Sequence, residues 1–186
     1  MTWAPLPQTI TSDLVTLRGW RLDDEAALAE ARDVSATELA KWWPGMSREL
    51  DDVAAFIEYS VEVFDGGELS RFAIDVDGEL TGYLSVTRLH NDAGEAEVAY
   101  WVRTDRSGRG IATAAVQTVA VMVFGHWPDL PRIVLRCEGG NTGSMRVAER
   151  SGFARSADTV ASRPPTEADV EVLWALERER GRPPAP

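Results

Sequence analysis

The sequence predicts a mixed α/β domain folded around one sheet. Three observations carry that prediction. Strand-like and helix-periodic segments alternate along the chain, no linker or repeat divides it, and an Asp-Gly pair joins two β-rich runs. At 186 residues the chain suits a single domain with a full-sized core. Its 44% hydrophobic and 26% charged residues are those of an ordinary globular protein, not a disordered one.

The elements follow in order. Asp13 to Trp20 alternates Leu14, Thr16 and Arg18 against Val15 and Leu17, and predicts a first strand. Asp23, Asp24 and Glu25 then complement the dipole of an Ala-rich helix to about Ala31. After a loop holding Trp42, Trp43 and Pro44, a second helix is expected from about Ser47 to Phe64. Val53, Ile57, Val61 and Phe64 recur on one face of it. FAIDV and ELTGYLSVTRL flank Asp77-Gly78, a two-residue hairpin signal because that turn requires positive φ. Residues 95–103 form a further strand, Ile111 to Phe124 a buried helix, and Arg132 to Arg136 a strand behind Pro131. Asn141 to Arg150 reads as a short helix stopped by Gly152. Closing strands are expected near 153–158 and 170–176, with a frayed tail over about 178–186. The domain therefore spans residues 1–186 with its core at about 10–177, and contains seven strands and four helices.

Charge and cysteine content narrow the partners. A net charge of −11 argues against nucleic acid, which requires a basic face, and is compatible with cationic ligands such as amines. The same acidity also serves solubility alone. No apolar run is long enough to span a membrane, and MTWAPLPQTI lacks a basic region followed by an apolar stretch, so no secretory leader is expected. A single cysteine, Cys137, forms no internal disulfide and fits a cytoplasmic protein.

The chemistry-bearing stretch is EAEVAYWVRTDRSGRGIATAA, residues 95–115. Here a strand breaks into a turn and Gly108-Arg109-Gly110 opens a helix. Backbone N–H groups at a helix start have no partner inside the helix, and with the dipole they attract phosphate oxygens. A GxG pair is by itself equally a tight turn. A P-loop would need Gly-Lys-Ser/Thr where this chain has Gly110-Ile111-Ala112, and a Rossmann fingerprint would want Gly or Ala at Thr113. Both fit poorly.

After the next strand comes CEGGNTGSMRVAERSGF, residues 137–153. Taken together, Glu97-Val98-Ala99-Tyr100-Trp101, Gly108-Arg109-Gly110-Ile111-Ala112, Asn141-Thr142-Gly143-Ser144 and Gly152-Phe153 resemble, in order and spacing, the GCN5-related N-acetyltransferase (GNAT) superfamily. The nearest likeness is to its ribosomal-protein N-terminal acetyltransferase-like branch. The matched core covers residues 95–153. Three departures stand out: Ser107 opens the loop motif in place of Gln or Arg, Ala99 replaces a glycine, and Ala148 stands where many relatives carry a tyrosine acid.

The resemblance implies one GNAT-like domain with a twisted, mostly antiparallel sheet, no metal, and acetyl-CoA as cosubstrate. It implies that the strand bearing Ala99 and Tyr100 splays from its neighbour near Arg136–Cys137 to admit the pantetheine. Cofactor contacts then fall on Ala99, Tyr100, Trp101 and Arg103, on Ser107 to Thr113 (Arg109, Ile111 and Ala112 included), and on Asn141 and Ser144. Glu97 is the candidate base, with Glu95 its rival, and Ser144 assists departure of the thiolate. Asn141 serves equally as a helix cap. Trp42 and Trp43 either wall a cationic acceptor pocket or simply pack. Cys137 has no evident His partner, since His90 and His126 fall in loops, and it reads as a core or cofactor-wall residue. The acceptor is a protein N-terminal amine or a small amine, and the assembly a monomer or homodimer. Two readings of other kinds stay open: a silent acyl-CoA sensor, and a nucleotide-binding enzyme.

Overall fold

The computed structural model describes residues 4–64, 67–91, 94–156 and 171–178. Eight strands form one sheet in the order β1-β2-β3-β4-β5-β6-β8-β7. The strands are β1 Thr9–Thr11, β2 Thr16–Gly19, β3 Leu69–Val76, β4 Glu79–Arg88, β5 Ala96–Val102, β6 Arg132–Glu138, β7 Ala154–Arg155 and β8 Glu171–Glu177. The helices are α1 Glu25–Trp42, α2 Pro44–Glu49, α3 Val53–Phe64, α4 Ile111–His126 and α5 Thr142–Arg150. The expected frayed tail lies outside the described residues, apart from Arg178, as do residues 157–158 and 170 of the two closing segments. None of the described helices is long and apolar enough to cross a membrane.

The hairpin forms at Asp77-Gly78, with φ of 52° and 82°. Several boundaries differ from expectation. The edge strand β1 is additional, and α1 runs eleven residues past Ala31 to Trp42. Its buried positions are Leu28, Ala31, Ser35 and Leu39, so small and polar residues occupy half of its core stripe. Trp42 thus ends a helix rather than sitting in a loop, and Pro44 starts the next one. His126 is likewise helical, closing α4. The helix expected from Ser47 is two helices, because Asp52 accepts a hydrogen bond from the Ala55 N–H (3.0 Å) and starts α3 afresh. The buried stripe of α3 is Val53, Phe56, Ile57, Ser60 and Phe64. Val61 is 44% exposed, since eight residues from Val53 carry it about 80° round the helix.

All neighbouring strands run antiparallel except β5 and β6. That parallel pair is joined only at Ala96–Ile133 and Glu97–Val134, after which no ladder connects the two strands. The sheet therefore has two wings. What holds them together is the core on one face, where Val116, Val119, Ala120 and Val123 of α4 pack with Leu84 and Val98 of one wing and Ile133, Leu135 and Trp174 of the other. A second core on the opposite face gathers α1, α2 and α3 against Ala73, Tyr83 and Trp101.

Buried charge anchors the first wing. Arg18 of β2 donates to Asp24 (2.7 and 2.8 Å) and to Asp75 of β3 (2.5 and 3.2 Å). Burial works to lower the Arg18 pKa, but the bonds it donates to Asp24 and Asp75 outweigh it and hold the guanidinium above its ordinary value. Arg178 plays a comparable part for α4, donating to the carbonyls of Phe124 (2.6 Å), Trp127 (2.7 Å) and Leu130 (2.8 Å).

Two stability outcomes are expected. A Cβ on Gly82 would lie 2.3 Å from the Trp101 carbonyl oxygen and 3.0 Å from the Val102 Cα, both backbone atoms. Gly82→Ala is therefore expected to cost about 1–3 kcal/mol through forced separation of β4 and β5, read as a lowered Tm. Arg18→Met would strand two carboxylates in the interior, and is expected to cost about 3–5 kcal/mol in urea unfolding.

Candidate active site

Where β5 leaves β6, the chain makes a cleft of about 590 Å³. One wall is the edge of β5 from Glu97 to Val102, and the other is Leu135 to Glu138 of β6. Side chains alternate along β5. Val98 and Tyr100 pack on the α4 side, whereas Trp101 belongs to the α1 side. Glu97 and Ala99 share that second face by register. On the β6-facing edge, Val98 to Trp101 have no ladder partner.

The glycine loop stands at one end of the cleft. Gly108 and Gly110 adopt φ of 77° and 82°, while a Cβ on either would meet nothing within 4 Å. Backbone conformation, not crowding, is what calls for glycine here. Gly110 immediately precedes α4, and no side chain caps that helix. The first internal bond runs from the Ala114 N–H to the Gly110 carbonyl (2.9 Å), which leaves the N–H groups of Ile111, Ala112 and Thr113 without helical partners. All three residues line the cleft, as do Ser107, Gly108 and Gly110.

Helix α5 begins on the far side. Asn141 accepts from the Ser144 N–H at 3.0 Å and so caps it. Ser144 Oγ lies 3.0 Å from Tyr100 Oη, a contact between residues 44 apart in sequence. Burial, partly offset by that Ser144 bond, pushes the Tyr100 phenol up to about 12. Position 148 is an alanine, fully buried, and so α5 carries no phenol there. A phenol reaches the cleft from β5 instead, that of Tyr100, a placement that the strand motif alone does not disclose.

The two glutamates separate cleanly. Glu95 is 6% exposed and is bonded to Arg132 and to the Asn91 side-chain amide (2.7 Å), outside the cleft lining. Glu97 faces the cleft with its Oε1 3.4 Å from Arg136 Nε. Cys137 also faces the cleft but is 7% exposed, and burial raises its thiol pKa against the weaker opposing effects of Trp174 and Ser144. A raised thiol pKa suits a wall residue better than a nucleophile.

Trp42 and Trp43 cross the opposite mouth. The Trp42 indole N–H donates to Glu38 (2.7 Å), and one ring face is covered by the Lys41 ammonium at 4.3 Å. Its far edge would touch a Cβ placed on Gly140 at 3.5 Å, so the ring reaches the β6–α5 turn. Trp43 packs edge-on to Tyr83, with ring centroids 6.0 Å apart.

Two residues expected at the cofactor lie elsewhere. Arg103 is tied to Asp105 and Glu30, each at 2.8 Å, and pins the end of β5 to α1. Arg109 lines a separate depression beside Asp77 and Glu79. Neither is part of the cleft lining. Conversely, Arg106, Arg146 and Arg150 line it, and sequence reasoning did not single them out. The i, i+4 spacing of the last two was the available signal. Among the described residues no group of three or more His, Cys, Asp or Glu side chains is placed to hold a metal ion.

Comparison with known proteins agrees with this architecture. The family profile described as acetyltransferase (GNAT) domain matches residues 15–154. Bacillus subtilis YdaF, provisionally a ribosomal N-acetyltransferase, is 35% identical over 77 residues, which cover 41% of this chain and 42% of that protein. The match thus spans less than half the length of that relative. The structure of Mycobacterium smegmatis RimJ in complex with CoA-disulfide aligns at a TM-score of 0.73 and 27% identity, covering 93% of this chain and 85% of that one. RimL, the ribosomal L7/L12 alpha-N-protein acetyltransferase in complex with coenzyme A, aligns at 0.76 and 20%, covering 91% and 97%. With three quarters of its length matched by the family profile, and its sheet opened between β5 and β6, the chain belongs to the GNAT acetyltransferase family.

Proposed function

We propose that this protein transfers the acetyl group of acetyl-CoA directly to a primary amine, and that the amine is the N-terminus of a protein or peptide. The observation that carries the reading is the joint placement of three features along one cleft. These are the unpaired edge of β5, the uncapped start of α4, and the Tyr100–Ser144 pair. A pantetheine chain fits the gap as a strand, and its diphosphate meets the amides of Ile111, Ala112 and Thr113. Coenzyme A supplies the thioester; the chain supplies position and electrostatics. The protein N-terminus is favoured by the likeness to YdaF and RimL.

Glu97 takes a proton from the incoming ammonium, directly or through water. An α-amine with a pKa of about 7.7–8.0 needs little help near neutrality, whereas an alkyl amine near about 10.4 needs more. As the tetrahedral intermediate collapses, the C–S bond breaks and its electron pair goes to sulfur. Ser144 donates a hydrogen bond to that sulfur and is itself supported by the Tyr100 hydroxyl. Burial holds the Tyr100 phenol at about 12, above its ordinary value, so Tyr100 keeps its proton and serves as the hydrogen-bond partner of Ser144. The pair therefore stabilises the leaving thiolate by hydrogen bonding, and the amine supplies the balancing proton.

A small polyamine is the second reading, favoured by Glu38, Glu97 and Glu138 all facing the cleft near two indoles. One mass-spectrometric screen separates the two: purified protein and acetyl-CoA against N-terminal peptides, polyamines and aminoglycosides. Acetylated peptides are expected. Exclusive polyamine acetylation would transfer the assignment to the second reading, and CoA binding with no product on any amine would favour a sensor.

With an N-terminal peptide as substrate, Glu97→Gln is expected to lower kcat about 10-fold at pH 7, where about a tenth of the α-amine is already neutral, and less above pH 8. Ser144→Ala and Tyr100→Phe should each lower it roughly 10-fold or more, with KM for acetyl-CoA little changed. Unchanged kcat in all three variants would refute the assigned roles. For an N-terminal peptide, kcat/KM should rise as the α-amine deprotonates, flatten above about pH 8, and not fall by pH 10, because Tyr100 stays protonated below about 12. A fall between pH 8 and 10 would contradict that account.

A further inference from the structure

We propose that Arg146 and Arg150 form a clamp for a phosphate monoester, and that its ligand is the ribose 3′-phosphate of coenzyme A. The inference rests on reading the cleft as a coenzyme A site. In a chain of net charge −11, the other arginines around the cleft are engaged. Arg103 is paired with Glu30 and Asp105, Arg106 with Glu79, and Arg136 with Glu97. Among the described residues, Arg146 and Arg150 have no carboxylate partner, although Glu149 is adjacent in sequence. A role in balancing the helix dipole accounts for a cation at Arg150, the last residue of α5, but not for Arg146 one turn earlier.

Their placement points outward along the cofactor path. Gly143, Arg146, Val147 and Arg150 fall at i, i+3, i+4 and i+7 on α5, one stripe of the helix, and all four line the cleft. The first turn of α4 lines the same cleft. The two helices are fixed side by side by the Gln117 side-chain amide, which donates to the Arg150 carbonyl at 3.0 Å. Ser144 marks the thioester end, and Arg150 lies about 9 Å further along the helix at about 1.5 Å per residue. The amides at the start of α4 serve the diphosphate. The remaining phosphate of coenzyme A is a separate monoester carrying a charge of about −1.5 to −2 near neutrality. Two guanidinium forks one turn apart match such a group through charge-assisted hydrogen bonds.

Calorimetric titration of the protein with CoA and with 3′-dephospho-CoA tests this without reference to activity. The wild type is expected to bind CoA roughly 10-fold or more tighter than dephospho-CoA. In the Arg146→Ala/Arg150→Ala variant the CoA affinity should drop to the dephospho-CoA value, which itself stays put; circular dichroism verifies the fold. Arg146→Lys/Arg150→Lys should keep part of the preference, and added salt should erode it in the wild type. Equal affinities in the wild type, or a preference that survives the double alanine variant, overturn the clamp. Failure of both ligands to bind would overturn the coenzyme A reading itself, and the clamp with it.

Discussion

The parting of β5 from β6 is the constraint on which the rest of the structure depends. A parallel pair that closed along its whole length would satisfy every backbone group and leave nothing for a ligand. Here pairing stops at Glu97–Val134, and the open edges become the walls of the cleft. The cost is carried by the neighbours. β4 continues to pair β5 through Val102, and β8 pairs β6 through Glu138, so each open strand is held from its other side. Helix α4, apolar on most of its surface, spans both wings and keeps their angle fixed.

That arrangement explains why the cleft is divided by chemistry. The start of α4 must lie at the cleft because the β5–α4–β6 crossover begins there, and its free amides come with it. Ser144 arrives because α5 follows β6 directly, and the Asn141 cap sets its first turn. Tyr100 points the same way as Val98 by strand alternation, which brings its hydroxyl to Ser144. Glu97, one strand position out of phase, shares the α1-side face of β5 with Trp101. Cationic side chains gather on α5 and carboxylates near the mouth, so the two ends of the cleft suit phosphate and amine respectively.

Much of this was legible in the sequence because the signals were local. Asp77-Gly78 set a hairpin, the glycine loop marked a strand-to-helix turn, and Asn141 with Gly152 bounded α5. What escaped notice depended on tertiary context. Helix α1 uses Ala31 and Ser35 as core positions, so its apolar period is too faint to follow to Trp42. The three residues of β1 are too few to alternate visibly. The Tyr100–Ser144 contact joins two motifs that sequence presents separately. Arg103 and Arg109, set in or beside the loop motif, turn away from the cleft into an ion-pair network and a side depression. Sequence order does not give that direction.

The most direct test of the central claim is a crystal structure of the protein with acetyl-CoA bound. The account predicts the pantetheine lying in the gap between β5 and β6 beyond Glu97–Val134, with its diphosphate at the start of α4. The thioester sulfur should lie within hydrogen-bond reach of Ser144. A cofactor seated elsewhere, or a β5–β6 ladder closed across the gap with acetyl-CoA present, would contradict it.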